Sequence, residues 1–412
     1  MDGAGAGILI IGASAAGVSA AREARKTNPE VRVTVVTEES HLPYYRPLLT
    51  RRITDDAVER NPSFLLNREE WYRANRIDLV LGKRIAALDT GFPPTFAERK
   101  SETPAGTARA ESGRVFPYER LILATGSRPF VPVEGALDRE NVFAVRTLDN
   151  ARAVSRCLET TEQVIVTGGG VLGIEAADSV VRSGRRVCIV EVAERILPLQ
   201  LDAEGSRVLE SILRERGCRL MLGDSLESLA GERKVEAVRL KSGGEIPADA
   251  VIFSVGVRPR IELAVSAGIA VNRGVLVNER METNLPGVYA CGEAAEFGRC
   301  VGLWMPSVRQ GTVAGLNAAG GGAVFTNEDY PATLNAFGTT VFSIGDLGRK
   351  EGVERYSALE RSLPARLVFK KLFFLDGALS GGLFIGDTRR SQSLLKAVRE
   401  GMPMDRATDL LG

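Results

Sequence analysis

Two short stretches carry residues whose types and spacing could do chemistry. In "ILIIGASAAGVSAAREARK", Gly12, Ser14 and Gly17 stand in G-x-S-x-x-G spacing between an apolar run, Ile8 to Ile11, and an Ala-rich helical segment. In "QVIVTGGGVLGIEAADSVVRSGRRVCIVE", Gly168, Gly170 and Gly173 repeat the device. The first glycine permits a tight turn, a small residue at the next position lets backbone amides approach a pyrophosphate, and the last lets helix and strand pack closely. The helix N-terminus adds partial positive charge, which places Ala15 and Ala16, and Val171 and Leu172, among the phosphate-binding residues. Each unit ends in acids placed to meet a ribose hydroxyl: Glu38, with Glu39 beside it, lies twenty-one residues past Gly17, and Glu191 lies eighteen past Gly173. One such turn is weak evidence. Two complete strand–turn–helix–strand–acid units are strong evidence for two dinucleotide sites.

The elements that hold these residues follow from the same stretches. Short apolar runs before each turn predict fully buried parallel strands, so the expected class is α/β, with two Rossmann-like, three-layer dinucleotide-binding domains. A second duplication supports the first: "LILATGSRP" and "VIFSVGVRP" are both apolar strands ending in Gly-x-Arg-Pro. Each would bring the chain out at the carboxyl edge of a parallel sheet, where ligands of such sheets bind. Ala124, Thr125, Gly126 and Arg128, and later Gly256, thereby become candidate binding residues, against the alternative of two ordinary strand exits. Further on, "RLVFKKLFFL" and "ALSGGLFIG" flank Asp376-Gly377, a type I′ hairpin signal. "SQSLLKAVREG" is a helix stopped by Gly401 and Pro403. These predict a C-terminal α+β domain.

Composition sets limits. The 412 residues suffice for two or three domains. Basic and acidic residues number 53 and 52, so nothing points to nucleic acid or to a membrane surface as partner. Five cysteines without a CxxC pair argue against a disulfide framework and a cysteine-held metal, and for buried thiols in a cytoplasmic protein. Gly3 to Ala21 carry no charge, but acidic Asp2 precedes them and Gly and Ala dominate; strand, turn and helix are expected there rather than a signal peptide or membrane span.

The two fingerprints, Ala124-Thr125-Gly126 and "GVYACGEAAEF" together resemble the pyridine nucleotide–disulfide oxidoreductase superfamily. "PYYRPLL", "GLWMPSVRQGTVAGLNAAG" and "VFSIG…GGLFIGD" look most like NADH:rubredoxin reductases and the flavin module of assimilatory nitrite reductases. The resemblance implies an FAD domain in two pieces, 1–115 and 246–322, an inserted NAD(H) domain, 116–245, and a C-terminal domain, 323–412, offering a surface for an oligomer or complex. It implies FAD at the first site, touching Arg46, Pro47, Gly292, Glu293 and Trp304. Tyr44 and Tyr45 would pack near the flavin, with Gln310 on the helix after Trp304 and His41 on the adenine side. Glu293 departs from the family's Asp, and Trp304 reads equally well as core packing. NADH is expected at the second site, because Glu191 would repel the 2′-phosphate of NADPH; Arg185, Arg186 and Arg195 could soften that rejection.

The same resemblance pairs Glu175 with a Lys beside the flavin, a position held here by Arg51. An Arg51–Glu175 pair is therefore expected, with a solvated Arg and a dipole-favoured Glu as the alternative. The expected activity is hydride transfer from NADH to FAD, with reacting atoms held about 3–3.5 Å apart. Single electrons would then pass to a rubredoxin, a ferredoxin or an iron–sulfur subunit. An NADH oxidase and a redox-sensing flavoprotein remain alternatives. Members of the superfamily place redox cysteines after the first fingerprint, yet "HLPYYRPLLTRR" has none. Electrons should therefore leave the flavin directly. Arg51, Arg52, Arg60, Lys370 and Lys371 are candidates for steering an acidic partner.

Overall fold

Short runs of β-branched and aliphatic residues, apolar on both faces, need cover on both sides, and a parallel sheet between two layers supplies it. A computed structural model describes residues 7–90, 105–349 and 355–412; residues 3–6 of the charge-free stretch lie outside them. The chain divides into two units: Met1–Leu48, Ala57–Arg128 and Val257–Asn327 form the first, and Leu49–Asp56, Pro129–Gly256 and Glu328–Gly412 form the second.

The first unit holds a five-stranded parallel sheet in the order Val288–Ala290, Arg120–Leu123, Ile8–Ile11, Val33–Val36 and Ile77–Val80. Ile8, Ile10, Val33 and Val35 pack toward Ala20, Ala21 and Ala24 of helix Ala15–Thr27. Leu9, Ile11, Leu121 and Leu123 meet Phe116 and Tyr118 of a three-stranded antiparallel sheet on the other side. Helix Ala15–Thr27 lies against helix Trp304–Ala318 with backbones nearly touching: a Cβ on Gly311 would sit 2.2 Å from the Ala16 oxygen, and one on Gly315 2.2 Å from the Ala20 oxygen.

The second unit has a similar sheet in the order Cys218–Leu222, Arg186–Glu191, Gln163–Thr167, Ala250–Phe253, Val142–Phe143, all parallel, its edge strand Val142–Phe143 preceding the others in the chain where Val288–Ala290 follows them. A three-stranded antiparallel sheet again covers one face. The C-terminal part is a five-stranded antiparallel sheet packed on helix Ser391–Glu400. Asp376 and Gly377 both have positive φ, 53° and 80°, as a type I′ turn requires, and join Val368–Leu375 to Ala378–Ile385. Gly401 ends the helix in the left-handed conformation.

The expected domain borders at 115/116 and 245/246 do not coincide with the crossings between the two units. Arg120–Leu123 pairs in register with Ile8–Ile11, and Ala250–Phe253 pairs with Gln163–Thr167. The crossings fall at 128/129 and 256/257, within each Gly-x-Arg-Pro segment. The C-terminal sheet groups with the second unit for a physical reason. Lys371 reaches Asp202, Glu204 and Glu360 at 3.0–3.1 Å, and Arg349 donates to the Leu199 and Leu201 carbonyls. Among the described residues no helix is long and apolar enough to cross a membrane.

Candidate functional site

In the first unit, Gly12 has φ +109°, and a Cβ there would lie 2.1 Å from the Ala124 oxygen. A Cβ on Gly17 would lie 1.9 Å from the Gly12 oxygen. The second unit gives the same pair of clashes: Gly168, φ +103°, against the Ser254 oxygen at 2.3 Å, and Gly173 against Gly168 at 2.0 Å. Both turns thus need glycine for the same steric reason, and each packs on the end of its Gly-x-Arg-Pro strand. The helices that follow share a second property. Helices Leu148–Leu158 and Ala203–Glu215 are capped by Thr147 and Asp202, whereas Ala15–Thr27 and Val171–Arg182, like Trp304–Ala318 and Ser391–Glu400, have no side-chain cap and no acid in the first turn. Ser14, at the cap position of the first, instead accepts from Arg46 Nε at 2.9 Å, and Gly170, at the cap of the second, faces open space. Orphan amides at a helix start need a partner, and a pyrophosphate satisfies them. The residues fit a dinucleotide at each turn.

Around the first turn the structure gathers most of the expected residues. Gly292, φ +74°, lies against Ala16, and its N–H donates to Gln310 at 2.9 Å. Glu293 accepts from Ser127 Oγ at 2.8 Å. Arg46 pairs with Glu39, which also accepts from Tyr44 at 2.5 Å. Pro47 follows in an exposed 3-10 turn. Tyr45 meets Trp304 edge-on at 4.7 Å. Glu38 is salt-bridged to Arg260 at 2.5 Å, while Arg128 turns to Glu262 at 3.4 Å. Arg260, which sequence reasoning missed, also accepts from Thr125 Oγ1 through its carbonyl and donates its N–H to Gly126. Its signal was its place directly after the second Gly-x-Arg-Pro. His41 is partly buried.

In the second site, Glu191 is buried and accepts from the Gly169 and Ala193 amides at 2.5 and 2.8 Å. Val171 and Leu172 open the helix, Leu172 exposed, and Gly256, φ +98°, is open to solvent. Arg185 and Arg186 do not reach Glu191; they bond the Glu159 carbonyl and Glu162. They precede or begin strand Arg186–Glu191, and at about 3.3 Å per residue the strand carries them to its far end. Only Arg195 stays on the Glu191 loop, donating to the Pro198 carbonyl.

The expected Arg51–Glu175 pair is not what the structure contains. Glu175 Oε2 accepts from Thr50 Oγ1 at 3.0 Å, and Arg51 is 65% exposed and 3.8 Å from Asp55. Leu49–Arg52 is one helical turn, and on it residue 50, not 51, points to the second fingerprint helix. Burial pushes Glu175 up to about 7, Thr50 opposing the effect and Asp178 adding to it.

Lys370 and Lys371 are likewise unavailable for steering. Lys370 is 1% exposed and bonds Asp387 and the Gly412 carbonyl, both at 3.1 Å, and Lys371 is held by its three carboxylates. All five cysteines are unpaired thiols. Burial pushes Cys291 and Cys218 up to about 12 and Cys188 to about 11, far from the range of reactive thiolates. Among the described residues no three His, Cys, Asp or Glu side chains gather for a metal.

The profile of the rubredoxin NAD+ reductase C-terminal domain matches residues 331–402. A Bacillus subtilis assimilatory nitrate reductase electron transfer subunit is 31% identical over 95% of this chain and 49% of its own; the chain thus spans about half the length of that relative. A Methanocaldococcus jannaschii NADH oxidase is 32% identical over 94% of this chain and 89% of its own. The crystal structure of NADH:rubredoxin oxidoreductase from Clostridium acetobutylicum superposes with a TM-score of 0.76, at 27% identity over 97% and 96% of the two chains. The profile of the pyridine nucleotide-disulphide oxidoreductases matches residues 6–315, and the chain belongs to that family.

Proposed function

We propose that this protein is an FAD-dependent oxidoreductase that takes hydride from NADH and passes electrons to a small redox protein or iron–sulfur subunit. One observation carries the reading: two uncapped fingerprint helices, each above the same pair of glycine clashes, in one chain. FAD held at the first site would supply the chemistry, taking up a hydride's two electrons together and releasing them singly. The chain's own residues do the rest. The Ala15–Thr27 and Val171–Arg182 helix starts hold pyrophosphates, and Arg46, Glu39 and Ser14 brace the first turn. Ser127, Glu293 and Gln310 order the strand ends beside it. The likeness to rubredoxin reductases, in the C-terminal profile and in the Clostridium structure, supports a protein acceptor. Unpaired thiols throughout fit the reducing cytoplasm. In anaerobic stopped flow, NADH should bleach the flavin in a single rapid phase, and no bleaching would overturn the reading. A second reading, transfer to oxygen, is favoured by the likeness to the Methanocaldococcus NADH oxidase; consumption of oxygen faster than reduction of added rubredoxin or ferredoxin would select it.

Glu191 sets the preferred nicotinamide. Its buried carboxylate would meet a 2′-phosphate, and with Arg185 and Arg186 at the far strand end, Arg195 is the one of the three arginines left on that loop to compensate. A like-charge contact near a protein surface costs on the order of a few kcal/mol, so kcat/KM should favour NADH by at least about tenfold. Equal values would defeat the assignment.

Electrons leave without sulfur. With every cysteine unpaired, and three held protonated by burial, replacing all five by Ser or Ala should leave NADH-dependent ferricyanide reduction within about twofold of the parent, less than the tenfold worth of 1.4 kcal/mol. Loss of turnover in a variant that retains flavin would reveal a thiol relay.

A further inference from the structure

Thr50 stands where no role has been assigned to it, and it makes two contacts on one stripe of the second fingerprint helix. Its hydroxyl donates to Glu175 at 3.0 Å, and its carbonyl accepts from Ser179 Oγ at 2.7 Å. Residues 175 and 179 are four apart, hence stacked on the same helix face, so side chain and backbone of Thr50 are both pinned against it. Thr50 is itself 7% exposed. The segment is thereby fixed in register with Glu175, the acid that follows the glycine turn on that helix.

We propose that Thr50 is the positioning residue for Glu175, holding its carboxylate where it favours the positive charge that appears on the nicotinamide as hydride leaves. This rests on the NADH reading above. The balance is simple: C4 of NADH gives up a hydride, one proton with two electrons, and the neutral dihydropyridine becomes a cationic pyridinium while the flavin is reduced. A carboxylate near that ring stabilises the developing cation; a carboxylic acid does not. The ionised form of Glu175 is therefore the active one.

Other charges on the elements packed against this helix are already engaged. Arg51 is paired with Asp55, Arg52 with Asp56 at 2.6 Å and Arg182 with Asp178 at 2.8 Å, Asp178 also accepting from the Phe337 amide. Arg186 is with Glu162, Glu191 is bonded to two amides, and the Cys188 thiol is kept neutral by burial. Among the described residues the donor to Glu175 is a hydroxyl, so its ionisation falls near neutrality and depends on that hydroxyl.

The test is the rate of flavin reduction by NADH, measured anaerobically across pH in the FAD-loaded protein. The parent should show a rate that rises with pH through about 7 to a plateau. T50V removes a donor that favours the charged form, so its midpoint should move up by about one unit, slowing reduction by about fivefold at pH 7 and about tenfold well below it. T50S should restore the parent midpoint, and E175Q should be slow and flat in pH. If T50V does not fold, T50A removes the same hydroxyl and is judged identically. A parent midpoint retained in T50V or T50A, or a flat parent profile, overturns the role of Thr50 while leaving NADH oxidation standing. Absence of any reduction in the parent overturns the underlying reading instead.

Discussion

A Gly17→Val protein should purify with little or no flavin. Its Cβ would stand 1.9 Å from the Gly12 oxygen, a backbone atom that cannot rotate away, and Gly12 is itself fixed on the Ala124 oxygen. The helix must therefore lift from the strand, and its first-turn amides move off the pyrophosphate. Hydrogen bonds to charged groups contribute about 1.5–3 kcal/mol each. Losing two of them weakens FAD by roughly 3–6 kcal/mol, on the order of a hundredfold to ten-thousandfold. Flavin absorbance per mole of purified protein is the measurement. Full occupancy in the variant would mean that the first turn does not hold the pyrophosphate.

Gly173→Val should do the converse. It recreates the same clash, 2.0 Å from the Gly168 oxygen, in the other unit. The first unit keeps its turn, so the protein should be yellow and its flavin should still be bleached by dithionite. Reduction by NADH should fall by a similar hundredfold to ten-thousandfold in kcat/KM. An unchanged KM and kcat for NADH would place the nicotinamide nucleotide elsewhere. Together the variants separate two sites that share one stereochemistry.

Much of this was legible in the sequence, because it depends on local rules. Glycines at fixed spacing, a buried strand before them and an acid after them were enough for both turns. Asp376-Gly377 was enough for the C-terminal hairpin, since few residue pairs accept positive φ at both positions. What was misplaced depends on contacts between distant segments. Glu38 and Arg260 meet across 222 residues, and no spacing rule announces such a pair. The crossings between the units lie past the expected domain borders, and parallel pairing of Arg120–Leu123 with Ile8–Ile11 is decided by the sheet and not by the strand alone. Thr50 displaced Arg51 because a four-residue helix aims only one side at its neighbour. Lys370 and Lys371 looked like a patch in one dimension. Successive strand residues point to opposite faces, so one is sealed under the end of the chain and the other against helix Ala203–Glu215.

The near contact of helix Ala15–Thr27 with Trp304–Ala318 also dictates an order in time. Ala20 leaves the ribosome long before Gly315, whose bare Cα is what lets the helices close. At about 5–20 residues per second, the 295 residues between them take on the order of 15–60 s to synthesise. Throughout that interval the first helix and the sheet face behind it lack their cover. The inserted sheet, complete once Phe253 has emerged, needs nothing from the later helix. The sheet begun first is thus covered only after the inserted sheet has formed, and a nascent chain stalled before residue 304 would present an open alanine-lined surface to chaperones.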